Sequence, residues 1–125
     1  MTVPESISEA ESAVLAVLWD QGSATAEDVA AALAAPRRWQ DSTVKTLLGR
    51  LLKKGAVRAQ KDGRRFIYTP TLAREEWLSR ESESLLNRLY GGRVAPLVAH
   101  FSRHRKLSKR DIRELKRLIE ELDDE

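Results

Sequence analysis

The apolar residues of this chain recur at helical spacing over most of its length. The pattern is clearest between Asp41 and Gly55, where small polar residues open the segment and a glycine closes it. Asp41 or Ser42 is expected to cap this helix at its start, and Gly55 is expected to end it. Residues at three- and four-residue spacing predict its buried face, which consists of Val44, Leu47, Leu48, Leu51 and Leu52.

Two helices are predicted ahead of this segment. Ser8 and Thr25 are each followed three residues later by a carboxylate, which is the capping-box spacing at the start of a helix. Gly22 is expected to end the first helix, and Pro36 is expected to stop the second. Residues 37–40 then form a short loop before the third helix.

The period changes after the third helix. Residues 56–60 alternate in part, and residues 66–69 are rich in aromatic and β-branched side chains, as strands are. Asp62 and Gly63 lie between them and form a strong hairpin-turn signal, and Pro70 closes the second strand. Three helices followed by a two-stranded hairpin are the order of a winged helix-turn-helix domain, which we place at residues 5–70.

Residues 71–125 carry three further helical patterns with wide apolar faces, and Ser108 begins the last of them with the capping-box spacing to Asp111. Three short helices can bury little of this surface alone, and each large apolar side chain left in water costs roughly 1.5–3 kcal/mol. We therefore predict a C-terminal helical dimerisation region, with folding back onto the first domain as the alternative. The predicted fold class is mainly α with a small β-hairpin. The predicted dimer contacts are Trp77, Leu85, Leu89, Leu97, Phe101, Ile112, Leu115 and Ile119.

Charge is distributed unevenly, although the net charge is only +3. Residues 1–36 contain six acids and no lysine or arginine, whereas residues 37–65 contain ten basic residues and two acids, a net of 10 − 2 = +8. The remainder is near balance. A concentrated positive block attracts polyanions, and this one coincides with the third helix and the hairpin. Nucleic acid is the predicted partner, and a solvated surface with counterions is the alternative.

The outward face of the third helix combines hydroxyl groups and cations with almost no carboxylate. Such a face suits a DNA major groove, although an ordinary amphipathic surface helix looks similar. Lys45 is the first choice for a base contact, and Lys54 and Arg58 are expected to neutralise phosphates. The predicted DNA-binding residues are Ser42, Thr43, Lys45, Thr46, Arg50, Lys53, Lys61, Arg64 and Arg65.

Other classes of function have less support. The chain has no cysteine, no glycine-rich phosphate loop and no Ser-His-Asp arrangement, so we predict no enzymatic activity, no cofactor and no metal. His100 and His104 have a metal-ligand spacing, but the neighbouring Arg103 and Arg105 repel cations, so surface or interface histidines are predicted. A pH-sensitive dimer is a further hypothesis for them. A protein-interaction module or a non-specific DNA binder is the alternative to a sequence-specific one.

Two observations bear on location. No apolar run approaches the roughly 20 residues that span a bilayer, and the N-terminus lacks the basic start and apolar core of a secretion signal. A cytoplasmic protein without membrane insertion is therefore predicted.

Four segments, in this order, resemble the penicillinase-repressor family (BlaI/MecI type): ISEAESAVLAVLW, STVKTLLGRLLKKGAV, GRRFIYTP and ESESLLNRLYGGRVAPLVAHF. The match runs from about Ile7 to Leu122. The resemblance implies a winged-helix domain that binds an inverted-repeat operator and a helical region that holds a homodimer. It also assigns residues to two DNA-contacting elements. Ser42, Thr43, Lys45, Thr46 and Arg50 match the recognition helix, and Lys61, Arg64 and Arg65 match the wing.

The resemblance also implies how repression ends, by proteolysis in the C-terminal region under a membrane-bound sensor. The family's cleavage point lies between Asn and Phe, and the matching pair here is His100–Phe101, so this chain departs from the family's pattern at the first residue of the pair. A copper-responsive branch of the family carries a C-terminal cysteine cluster. Because this chain has no cysteine, copper sensing by that route is excluded.

Overall fold

The computed structural model describes residues 6–124. These residues form two compact units, one ending at Leu78 and one beginning at Ser79. The division falls within a helix, later in the chain than the predicted boundary at residue 70. The elements in chain order are α1 (Glu9–Gln21), β1 (Ala24–Thr25), α2 (Ala26–Arg37), α3 (Asp41–Lys54), β2 (Val57–Asp62), β3 (Arg65–Pro70), α4 (Arg74–Tyr90), α5 (Val94–Arg103) and α6 (Lys109–Asp123).

The first unit packs three helices against a small antiparallel sheet. The strand order is β1-β3-β2, so the predicted hairpin is present and β1 adds a third strand beside β3. In the added pairing, Ala24 lies opposite Tyr68 and Thr25 opposite Ile67. The sequence did not predict β1, because two residues are too few to show a strand period. The prediction of a mainly α chain with a small β element is confirmed.

The core of the first unit draws apolar side chains from every helix before the hairpin. Val14, Leu15 and Leu18 of α1 and Val29 of α2 are fully buried against α3. Residues outside the helices also belong to the cluster, including Ile7, Ala24 and Val57. Ala56 precedes β2 and Leu72 follows β3, so the end of the hairpin opposite its turn is packed on the helices.

The predicted helix starts and stops are confirmed at several positions. Ser8 and Thr25 are N-caps of α1 and α2, and each forms a complete capping box with the carboxylate three residues later. Ser108 does the same for α6. Gly22 and Gly55 end α1 and α3 with φ angles of +87° and +78°, a region that glycine enters without steric cost.

Three local predictions are wrong. Pro36 does not stop α2, which continues through Arg37, since a proline in the last turn removes only one hydrogen bond and its own φ fits a helix. Neither Asp41 nor Ser42 caps α3, because the extended residue before the helix is Gln40. Leu52, predicted on the buried face, is 44% exposed because α3 is covered on one side only.

The second unit contains the rest of α4 and helices α5 and α6. None of its described residues is buried, which contrasts with the first unit. Its large apolar side chains remain in solvent to an unusual degree, with Leu89 at 62%, Ile119 at 57% and Leu122 at 66% exposure. Apolar surface on this scale is typical of an interaction face.

Candidate nucleic-acid interface

Helix α3 buries one face and presents the other to solvent. Val44, Leu47, Leu48 and Leu51 form the buried face, which fixes the helix on α1 and α2. Because the helix is fixed by this packing, its exposed side chains are held at defined positions relative to one another. Those exposed side chains include every DNA-binding residue predicted on this helix, namely Ser42, Thr43, Lys45, Thr46, Arg50 and Lys53.

The start of α3 is open to an acceptor from outside the chain. The Gln40 side chain accepts no hydrogen bond from the first turn. Free N–H groups at a helix start favour a phosphate oxygen, although the Asp41 carboxylate in the same turn competes for them. One turn later, the Thr46 hydroxyl donates to the Ser42 carbonyl at 2.9 Å, which leaves the Thr46 methyl group for apolar contact.

The hairpin β2–β3, called the wing below, carries basic residues around its turn. Asp62 pairs with Arg65 across the last rung of the ladder, so the loop consists of Gly63 and Arg64. Gly63 has a φ of +66°, as the first loop position of a type II′ turn requires. The turn is therefore Gly63–Arg64, one residue later than the predicted Asp62–Gly63 pair. Lys61, Arg64 and Arg65 are all exposed.

Lys54 is engaged within the protein. Its Nζ lies 2.6 Å from Glu11 Oε1 and 2.7 Å from the Ser6 backbone oxygen, and its side chain is only 17% exposed. The pair ties the end of α3 to the start of α1. Since an amine held by a buried carboxylate is not available to DNA, we remove Lys54 from the predicted phosphate contacts.

The charge of Arg65 is partly neutralised by carboxylates of the protein itself. Its NH2 lies 3.6 Å from Asp62 Oδ2. The pKa of Asp28 is lowered by hydrogen bonds from the Thr25 backbone and hydroxyl and, to a smaller extent, by the charge of Arg65. Within residues 6–124, no carboxylate lies at ion-pair distance from Lys45, Arg50, Lys53, Arg58, Lys61 or Arg64.

The structure brings the cations of α3 and the wing together. Lys45, Arg64 and Arg65 line a cleft of about 270 Å³ between α3, the start of α2 and the wing. A second depression, lined by Ser42, Thr43, Thr46, Leu47 and Arg50, lies along α3 itself. The structure thus brings Lys45 of α3 next to two arginines of the wing and groups Ser42, Thr43, Thr46 and Arg50 along α3. Lys53 and Lys61 line neither of these two depressions.

The turn before α3 is braced by three side chains. Glu9 of α1 forms a bidentate pair with Arg37, with distances of 2.8 and 2.7 Å, and the Arg37 guanidinium lies 5.2 Å from the Trp39 ring centroid. This hydrogen bonding lowers the pKa of Glu9 and raises that of Arg37. Arg38 ends α2 in the left-handed region with a φ of 57°. The brace fixes the entry of the chain into α3.

Trp19 and Trp77 pack together in the first unit. Their ring centroids are 5.6 Å apart, and Trp19 Nε1 donates to the Leu72 carbonyl at 2.8 Å. The Trp77 Nε1 is buried and has no hydrogen-bond partner among the described residues 6–124. Trp77 therefore has a place in the first unit, whereas the sequence assigned it to the dimerisation region, and its part in a dimer remains a prediction.

The other predicted dimer contacts lie in the second unit. Leu97, Phe101 and Leu115 line a groove of about 250 Å³ between α5 and α6, together with Val98, Leu107 and Leu118. Leu85, Leu89, Ile112 and Ile119 are exposed. This unit therefore has an apolar face but, within residues 79–124, no buried core of its own.

His100 and His104 lie at the end of α5 with ring centroids 4.5 Å apart, and both are exposed. Over residues 6–124 there is no group of three or more His, Asp or Glu side chains that could hold a metal ion. The same part of the chain contains no helix of the length and apolarity that crossing a membrane requires.

The sequence did not predict the roles of two side chains, one buried behind this surface and one exposed on it. Glu11 was read only as a capping residue, and no sequence signal pairs it with Lys54, which lies 43 residues away. Phe66 was read only as a strand residue, yet it is 49% exposed and lines the cleft between wing and α3. An aromatic residue directly after two arginines at a hairpin tip was the signal available for it.

Comparison with known proteins agrees with this architecture. The profile of the family described as "Penicillinase repressor" matches residues 7–121. A penicillinase repressor of Bacillus licheniformis is 37% identical over 115 residues, which covers 92% of this chain and 90% of that protein. A methicillin resistance regulatory protein MecI of Mammaliicoccus sciuri is 30% identical over 113 residues, covering 90% and 92%.

Solved structures give the same result for the first unit. The DNA-binding domain of the repressor BlaI is 37% identical with a TM-score of 0.54, covering 60% of this chain and 90% of that one. The Bacillus licheniformis BlaI monomer in complex with the blaP half-operator is also 37% identical, with a TM-score of 0.52. The first unit has the predicted winged helix-turn-helix fold, and the chain belongs to the penicillinase-repressor family.

Proposed function

We propose that this protein is a sequence-specific DNA-binding transcriptional repressor. The observation that carries the proposal is the exposed cationic surface of α3 and the wing, which meet at the cleft of Lys45, Arg64 and Arg65 and on which Lys45, Arg50 and Arg64 have no ion-pair partner within residues 6–124. The similar BlaI structure in complex with its half-operator supports a DNA partner for this surface. Repression follows by occlusion of the bound site.

Each side chain of the surface has a proposed role. Lys45 donates to guanine O6 or N7 in the major groove, and the Thr43 and Thr46 methyl groups contact thymine methyls. Ser42 and the open N-terminus of α3 approach a phosphate. The remaining cations neutralise phosphates and release counterions, namely Arg50, Lys53, Arg58, Lys61, Arg64 and, in part, Arg65.

We propose that two chains act together on an inverted-repeat operator. The exposed apolar face of the second unit supports a homodimer, since Ile119 and Leu122 are more than half exposed. A two-fold dimer places its two α3 helices about one turn of DNA apart, roughly 34–36 Å, or at a larger spacing in phase with the helix. We further place the protein in the cytoplasm, where its DNA target lies.

Release of repression by proteolysis is an extension of this proposal. The candidate cleavage pair His100–Phe101 lies inside α5. A protease binds its substrate in an extended form, so cleavage there requires this part of α5 to unwind first. A membrane sensor-protease system is the proposed partner for that step.

The test begins with selection of preferred duplexes from a randomised DNA library by the full-length protein. The selected duplex and a scrambled duplex of equal length and composition are then compared by mobility shift in the presence of random competitor DNA. We expect the selected duplex to contain an inverted repeat and to bind at least about a thousandfold more tightly. Equal binding of both duplexes indicates a non-specific binder, and no binding of either indicates a protein-interaction module.

Lys45→Ala is expected to weaken binding to the selected duplex about ten- to a hundredfold, because it removes a base contact in each half-site. Binding to the scrambled duplex should fall much less. Lys109→Ala in the second unit is the matched control, since Lys109 is also exposed. If Lys45→Ala and Lys109→Ala bind the selected duplex alike, Lys45 is not the base-reading residue.

Arg64→Ala and Arg65→Ala are expected to differ in their salt dependence. Arg64 has no ion-pair partner within residues 6–124, so its loss should reduce the slope of log affinity against log salt by about one per half-site. Arg65 is partly neutralised by Asp62, so its loss should reduce the slope by less than half as much. Fluorescence anisotropy over a salt series measures both slopes. A larger change in slope for Arg65→Ala than for Arg64→Ala contradicts the partial neutralisation of Arg65 by Asp62.

A further inference from the structure

The cleft between the wing and α3 is lined by aromatic as well as charged side chains. Phe66 and Tyr68 lie two residues apart on β3, so their side chains leave the same face of the sheet. Tyr68 packs on the core, whereas Phe66, farther out towards the turn, is 49% exposed. A half-exposed aromatic ring at this position contributes little to the core and is free to contact a ligand.

The rest of the lining defines the ligand's charge. Lys45 lies on the α3 side, Arg64 and Arg65 lie on the wing side, and Glu27 is the one carboxylate among the lining residues. Even with Arg65 partly neutralised by Asp62, the two cations Lys45 and Arg64 outnumber Glu27 in this lining, which favours an anion. Arg64 is the cation best placed to bind it, because Arg65 is shared with Asp62.

We infer that this cleft is a subsite for one sugar-phosphate unit of the DNA backbone, in which Phe66 covers the deoxyribose and Arg64 binds the adjoining phosphate. The inference rests on the proposed DNA-binding function and adds a contact of a different kind to it. The apolar face of a deoxyribose matches an aromatic ring, and its phosphate matches a guanidinium. Neither group identifies a base, so the contact positions the wing along the backbone without selecting a sequence.

Phe66→Ala therefore has an expected result that no charge variant reproduces. Affinity should fall about five- to tenfold for the selected and the scrambled duplex alike, as loss of part of one buried aromatic ring implies. The salt slope should stay at the wild-type value, because no cation is removed. Phe66→Leu keeps an apolar side chain of similar reach. It should lower the logarithm of the affinity by less than half as much as Phe66→Ala does.

Hydroxyl-radical footprinting locates the contact, because the radical attacks exposed deoxyriboses. With saturating wild-type protein, we expect one protected position per half-site that becomes cleavable with saturating Phe66→Ala, while the rest of the footprint is unchanged. The comparison is made below the unfolding transition, so that a change in stability does not alter the pattern.

Two results would overturn the inference. One is a footprint for Phe66→Ala identical to that of the wild type, and the other is a loss of affinity confined to the selected duplex, which indicates a base contact. Failure of the proposed function itself is distinguishable, because it appears as absence of DNA binding by the wild-type protein before any variant is compared.

Discussion

Glu11→Ala is expected to lower the free energy of unfolding by about 3 kcal/mol, the largest single-residue effect on stability that we predict outside the apolar core. Glu11 is 1% exposed, lies 2.6 Å from Lys54 Nζ and accepts the Ser8 backbone N–H at 2.8 Å. Its removal leaves the Lys54 amine largely buried without its carboxylate and opens the capping box of α1. Denaturant unfolding at pH 7 measures the change.

A double variant separates the ion pair from simple packing. Replacing a buried pair by apolar residues of similar size is often close to neutral, so Glu11→Leu combined with Lys54→Met should recover most of the stability lost by Glu11→Ala. The matched control is Glu9→Ala, whose carboxylate is 72% exposed and whose ion pair with Arg37 is therefore screened by solvent and expected to contribute much less to stability. Equal losses for Glu9→Ala and Glu11→Ala would falsify a special role for the buried pair.

The contribution of this pair depends on pH in a defined direction. Burial by itself raises the pKa of Glu11, but the hydrogen bonds from Lys54 and Ser8 outweigh it, so the pKa lies below its ordinary value of 4.5. A carboxyl group with a lowered folded-state pKa stabilises the fold above its unfolded pKa, and the effect is lost as pH falls through the folded pKa. The stability difference between wild type and Glu11→Ala should therefore be complete at pH 7 and should shrink below about pH 4.5.

Ile119→Asp is expected to convert the proposed dimer to a monomer and to weaken binding to the two-half-site duplex at least about a hundredfold. Ile119 is 57% exposed on the apolar face of α6, and a carboxylate there must be desolvated if that face is covered. Without the dimer, the second half-site no longer binds at a high effective concentration. Sedimentation equilibrium and anisotropy with the selected duplex measure the two effects.

The control variant introduces an aspartate on the opposite side of α6. Arg113 lies on the charged side of α6 and is exposed, so Arg113→Asp should remain dimeric. Binding of Ile119→Asp to a single half-site should equal that of the wild-type protein, because α3 and the wing are untouched. A monomeric wild-type protein, or a dimeric Ile119→Asp variant, removes α6 from the dimer interface.

The helical framework of this protein could be predicted from local sequence. The capping boxes at Ser8, Thr25 and Ser108 and the glycine ends at Gly22 and Gly55 were identified because each depends on residues within one helical turn. The buried face of α3 was predicted except for Leu52, since periodicity shows which residues share a side but not how far the neighbouring helices cover it.

The exposure of the proposed contact residues was predictable for a related reason. Small hydroxyl groups and cations without carboxylates on one face of a helix, followed by a hairpin with a basic turn, are visible in the sequence as a local pattern. The sequence does not show whether a given cation is free to bind DNA or is already paired within the protein. Lys54 and Arg50 look alike in the sequence, but Lys54 is held by Glu11 from α1, whereas Arg50 has no ion-pair partner within residues 6–124.

By itself, the sequence determined the order and type of the main elements, the position of the basic block and the apolar character of the C-terminal helices, because these depend on neighbours one to four residues apart. Only the tertiary structure decided the pairing of β1 with β3, the engagement of Lys54 by Glu11 and the meeting of Phe66 with Lys45 in one cleft. Each of these joins residues far apart in the chain. Such contacts form when apolar burial brings whole elements together, and no local pattern encodes which side chains then meet.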